Sequence, residues 1–89
     1  MPKMLITHHV ADVNNWLGFK AERAEATESL GGTNVVDHVA HDGSNMVAVS
    51  CDVADVDALM ATIGSPPPEI AAALEKHGVL PPMVAYVEG

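Results

Sequence analysis

The strongest constraint on this chain is that its extended segments carry apolar residues on both sides. Residues 3–10 (KMLITHHV), 33–41 (TNVVDHVAH), 46–53 (MVAVSCDV) and 83–88 (MVAYVE) read as strands, being short and rich in β-branched and aliphatic residues. Successive side chains on a strand point to opposite faces. In the first segment Met4, Ile6 and Val10 share one side and Leu5 takes the other; in the third, Met46 and Ala48 oppose Val47, Val49, Cys51 and Val53. In the last, Met83, Ala85 and Val87 oppose Val84 and Tyr86. A sheet with helices on one face and water on the other alternates apolar and polar residues. These strands do not. A chain of 89 residues cannot cover both faces by itself, and a bare face would exceed the few hundred Å2 of apolar patch that soluble monomers tolerate. The pattern predicts a homodimer joined through the sheets.

The segments between the strands read as helices. Asp12 suits an N-cap, and Val13, Trp16, Leu17, Lys20, Ala24, Thr27 and Leu30 recur at three- and four-residue intervals. This predicts one helix over 13–30, with Glu22, Arg23, Glu25 and Glu28 on its solvent side and Gly31-Gly32 as the exit. Asp42-Gly43-Ser44-Asn45 has the chemistry of a hairpin turn. Asp52 or Asp55 caps a short helix ending near Ile63. Ser65 and the three prolines after it open another, carrying Ile70, Ala73, Leu74 and His77 as far as Gly78. The order β-α-β-β-α(α)-β predicts a single α+β domain over 1–89: a ferredoxin-like plait whose four-stranded antiparallel sheet has helices on one face. The expected strand neighbours are fourth, first, third, second.

Charge and cysteine usage exclude several functions. Four Lys+Arg against 12 Asp+Glu give a net charge of −8, which leaves almost no cations for nucleic acid or an anionic membrane surface. No apolar run is long enough for a membrane span or a signal peptide. With one cysteine there is no internal disulfide framework, and a cytoplasmic location is expected. Cys51 has no base near it in sequence and reads as a small buried hydrophobe. Gly31-Gly32-Thr33 follows a helix instead of joining strand to helix, so it is no phosphate cradle and no nucleotide cofactor is implied. Strand parity sends His8 and His9, and likewise His38 and His41, to opposite faces, so three convergent metal ligands cannot be assembled. Neither a metal nor another cofactor is expected.

His8-x-Val10-x-Asp12 followed by Trp16 resembles the opening of the dimeric α/β-barrel superfamily, in its branch of small antibiotic-biosynthesis-monooxygenase-like and cyclase-like proteins. Ser65-Pro66 through Glu69-Ile70, Leu74, Lys76, Gly78-Val79 and Pro81-Pro82 resembles the ending of many uncharacterised members. The resemblance implies a pocket between helices and sheet in each protomer, with the other sheet faces forming a barrel between protomers. Members include cofactor-free oxygenases, polyketide cyclases, isomerases and haem degraders, so the likeness speaks for a fold more than for a reaction. With only Trp16, Phe19 and Tyr86 as aromatics, the chain argues against a large aromatic substrate.

Four residues are candidates for the site. The resemblance puts His8 in the pocket, where a neutral imidazole would act as general base on an acidic C–H or a phenol. Trp16, on the apolar side of its helix, offers a flat wall and an indole N–H. Asn15 would orient a carbonyl, and His38 is a further substrate-binding candidate. His77, ahead of a helix-ending glycine, reads as a cation stabilising a helix terminus. Two functions stay open: a pocket for a small apolar metabolite with cofactor-free acid/base chemistry at His8, or a non-catalytic binding or interaction module of the same fold. A haem or metal held by an exposed histidine is a third, weaker reading.

Overall fold

The structure, a computed structural model, describes residues 2–88. One antiparallel sheet contains β1 (Lys3–Val10), β2 (Gly32–Val39), β3 (Met46–Val53) and β4 (Val79–Val87), in the order β2-β3-β1-β4. This is the predicted ferredoxin-like order. Interior strand β1 pairs with β3 on one side and β4 on the other, so Ile6 lies between Val49 and Ala85. β4 starts at Val79, before the prolines, instead of after them. It is an edge strand, where a residue without an N–H costs no ladder bond, so Pro81 and Pro82 are tolerated inside it. The pairing with β1 shifts register between Thr7 and His9, beside those prolines.

Four helices connect the strands: α1 (Val13–Leu17), α2 (Lys20–Ser29), α3 (Val56–Gly64) and α4 (Pro68–Lys76). Asp12 caps α1 as expected, accepting from Asn15 N at 3.1 Å. The single helix expected over 13–30 is instead two. After Leu17 the chain tightens, with Phe19 N donating to Trp16 O at 3.1 Å, and Phe19 leaves helical geometry at φ −101°, ψ 18°. Gly18, a poor helix former, sits at this break. Of the two capping candidates for α3 it is Asp55 that serves, accepting from Ala58 N at 3.0 Å; Asp52 lies in β3, bonded to Asn34 and paired with Lys3. α4 starts only at Pro68, because Ser65, Pro66 and Pro67 each precede a proline and are pushed out of helical geometry. Among the described residues no helix is long and apolar enough to cross a membrane.

The helices cover one sheet face and leave two core clusters. Met4, Cys51, Val53 and Leu59 form one, and Val10, Trp16, Val47 and Val49 the other. Within each strand these residues share one of the two sides distinguished in the sequence, and that side faces the helices. The opposite face has no cover from the described residues: Val36, Leu80, Val84 and Tyr86 stand exposed on it, with Tyr86 at 57%. The register sets Leu5 beside Tyr86 and Thr7 between Ala48 and Val84, making this open face continuous across the strands.

Candidate functional site

Between the two core clusters lies a cavity of about 110 Å3. It exists because α4 packs loosely. No residue of that helix is buried, and its Ile70, Ala73 and Leu74 line the space without filling it. β1 contributes Ile6 and His8 to the lining, and β3 contributes Val49 and Cys51. An apolar cavity of about 150 Å3 is enough to take benzene. The space here suits a short chain or a single small ring.

His8 is the polar residue on the inward side of β1, 4% exposed where Met4, Ile6 and Val10 are its face neighbours. Its Nδ1 lies 3.0 Å from the carbonyl oxygen of His9. A carbonyl only accepts, so Nδ1 carries the hydrogen and Nε2 keeps a free lone pair. Burial pushes the His8 pKa below its ordinary 6.5; the bond to His9 opposes this, and the charge of Arg23 adds to the lowering. At neutral pH the ring is therefore an uncharged base. Trp16, 0% exposed, meets it edge-on with ring centroids 6.2 Å apart and an interplanar angle of 79°.

Behind Trp16 lies a buried polar cluster that sequence reasoning missed. Arg23, expected on the solvent side of its helix, turns inward. Its Nε and Nη2 donate to Asp37 at 3.2 and 2.7 Å, Nη2 also reaches Trp16 O at 2.9 Å, and its guanidinium lies 3.9 Å above the Trp16 ring. Nη1 donates to His77 Nδ1 at 3.3 Å, so the neutral His77 ring carries its hydrogen on Nε2. Glu22 Oε2 is 3.5 Å from that nitrogen, an approach that makes no hydrogen bond. His77 is not the exposed helix-end cation expected: it is 4% exposed, stacked on Phe19 at 4.5 Å, and burial lowers its pKa against the pull of Glu22. Two signals could have found this cluster. Arg23 continues the Trp16–Phe19 spacing at i+7 from the tryptophan, and Asp37 shares strand parity with inward Val35.

The structure brings together two of the four candidate residues: His8 and Trp16 line the same cavity. Asn15 does not join them. It completes the α1 cap, and its side-chain amide donates to Lys76 O at 3.4 Å. His38 lies on the other face of the sheet, exposed, with Nε2 2.9 Å from Ser50 Oγ. β3 separates β2 from β1, and parity turns His38 away from the helices, so it shares no site with His8. Cys51 lines the cavity as a buried thiol whose pKa is raised by burial and by the neighbouring Asp52 charge. Among the described residues no three His, Cys, Asp or Glu side chains converge as a metal site.

The whole chain superposes on several solved structures. A protein from Deinococcus radiodurans described as a proposed antibiotic biosynthesis monooxygenase matches with TM-score 0.61 and 14% identity, over 100% of this chain and 93% of its own. A second antibiotic biosynthesis monooxygenase matches with TM-score 0.65 and 12% identity, over 100% and 97%. The fold is that of the antibiotic-biosynthesis-monooxygenase-like proteins. Rv0793 from Mycobacterium tuberculosis shares it, with TM-score 0.58, 16% identity and coverage of 100% and 94%. No family model matches the chain, and no curated protein matches it significantly. At such low identity the likeness establishes architecture, and the chemistry has to be argued from this chain's own residues.

Proposed function

We propose that this protein is a homodimer in which each protomer holds a small apolar metabolite between helices and sheet, with His8 removing a proton from it. The observation that carries this reading is the buried imidazole of His8 in a largely apolar cavity, its tautomer set by the His9 carbonyl and its Nε2 left as a base. A low-dielectric site strengthens any interaction His8 makes with the substrate. A deprotonated carbon or phenol is the common starting point of oxygenation, cyclisation and isomerisation, so one base serves each. The names of the structural neighbours favour the first of these. Neutral His8 is the active form and its pKa lies below 6.5. The turnover rate is therefore expected to rise with pH below 6.5 and to be level at neutrality. A rate that climbs as the solution is acidified through that window would contradict the assignment.

The open sheet face supports the dimer. Exposed Val36, Leu80, Val84 and Tyr86 form an apolar surface of the kind a second copy covers. Light scattering at micromolar concentration should give twice the 9.3 kDa chain mass, and Val84→Asp should reduce it to the single-chain value. A native mass near 9.3 kDa would refute the dimer while leaving the cavity chemistry standing.

A further inference from the structure

His38 and Ser50 lie on the open side of the sheet, and the chemistry proposed for His8 does not use them. Strand parity assembles that side from Leu5 and Thr7 of β1, Ala48 and Ser50 of β3, Val36 and His38 of β2, and Val84 and Tyr86 of β4. His38 stands within this mostly apolar field, in the row His38–Ala48–Thr7–Val84. Its Nε2 meets the Ser50 hydroxyl at 2.9 Å. Beside its ring runs a shallow groove of about 180 Å3, whose other lining residues are Thr7, Val39, Ala40, Met46, Val47 and Ala48. None of them carries a charge. The charged groups of this side keep to its ends. Lys3 and Asp52 pair at one end at 3.2 Å, with Asn34 donating to Asp52 and Glu88 following beside Lys3. At the other end His9 meets Asn45 Oδ1 at 2.9 Å, and His41 and Asp42 lie in the turn beyond β2, where Asp42 accepts from Ser44 N. Asp37, next to His38 in the chain, points to the helix side and is committed to Arg23. Among the described residues, then, no carboxylate faces the His38 ring from β1, β3 or its own strand.

We infer that the dimer assembles only with His38 uncharged, so that mild acid separates the protomers. This rests on the reading of the open face as the surface between two copies, and it adds what regulates that contact. A second copy laid on the face strips water from His38 of both protomers at once, and by two-fold symmetry each copy offers the other the same apolar field. An imidazolium sealed there has the Ser50 hydroxyl as neighbour and no counterion, a state far more costly than the neutral ring. Histidine is the side chain that changes charge between about pH 5 and 8. Protonation therefore competes with pairing: the contact is complete above the histidine range and is lost as pH falls through it. The sign is distinctive. With a net charge of −8 and five histidines, acidification lessens the repulsion between protomers, and by that effect alone pairing would tighten.

Sedimentation velocity over a dilution series, at about pH 7.5 and about pH 5.5 and constant ionic strength, reads the effect. One pH unit below the ordinary histidine value of about 6.5, protonation of the separated chain opposes pairing about tenfold per protomer, so the Kd of the dimer should rise about 100-fold. His38→Gln, which can still bond Ser50 but takes no proton, should hold its Kd within about threefold over the same range. His9→Gln should respond like the native chain. A native dimer equally tight at both pH values would overturn the inference and leave the dimer standing. A loss that persists in His38→Gln, or that disappears in His9→Gln, would overturn it as well. A single chain at the higher pH would overturn the dimer reading, and the inference with it. Should His38→Gln not fold, His38→Asn repeats the comparison, and the native protein alone still yields the outcomes that decide.

Discussion

Asp37→Ala is expected to destabilise the fold by about 3–5 kcal/mol, because it strips the counterion from a buried guanidinium. The Asp37 carboxylate is 2% exposed and Arg23 is 10% exposed at the side chain, so water cannot replace the lost partner. Arg23 would then hold an uncompensated charge over the Trp16 ring, beside two histidines whose protonation it already disfavours. A domain of this length has roughly 4–13 kcal/mol of stability in all, so the single substitution is expected to leave a marginal or unfolded protein. Removing both charges should behave differently: Arg23→Met with Asp37→Leu deletes the pair and its desolvation cost together, and recovers most of the loss. Urea denaturation of the three proteins decides it. A loss under 1 kcal/mol in Asp37→Ala would mean that the pair is wetter than its burial implies.

His8→Gln should lower turnover by about 10²–10⁴-fold while leaving a folded dimer. Glutamine fills similar space and can still reach the His9 carbonyl, but it cannot take a proton near neutral pH. His8→Ala should lose as much, with a further stability cost from the space left beside Trp16. Circular dichroism and light scattering establish that each variant is folded and paired before rates are compared. Retention of more than a tenth of the native rate in both variants would assign the base to another group.

Strand parity made much of this molecule legible. The two-residue alternation set Met4, Ile6 and Val10 on one face and His8 opposite His9, while the choice of His8 as the inward one came from the family resemblance. The structure turns His8 to the same face as Met4, Ile6 and Val10. The helix break at Gly18–Phe19 was not legible, since the apolar spacing runs on through it; what redirects the chain is Phe19 stacking on His77, a partner 58 residues away. The Arg23–Asp37 pair, 14 residues apart, was hidden because it joins a helix to a strand. Charged residues on a helix are ordinarily solvated, and the i+7 spacing from Trp16 is the one local mark that separates Arg23 from Glu22 or Glu25 until β2 is folded against it. Asn15 and His38 lie apart from the His8 cavity for nearer reasons: one is committed to its own helix cap, and the other is on the opposite face of a strand not adjacent to β1.

The sequence by itself determined the sheet, its strand order, the two opposing sets of strand residues, and the surplus of apolar surface that one chain's helices cannot cover. Those properties follow from short-range periodicity, which each segment carries within itself. Only the tertiary structure decided the cavity, because it is a gap between two core clusters under a helix that does not close on them. It also decided the chemistry of His8, whose free nitrogen, tautomer and lowered pKa depend on burial and on neighbours from other elements. A histidine's charge state is set by its surroundings more than by its place in the chain.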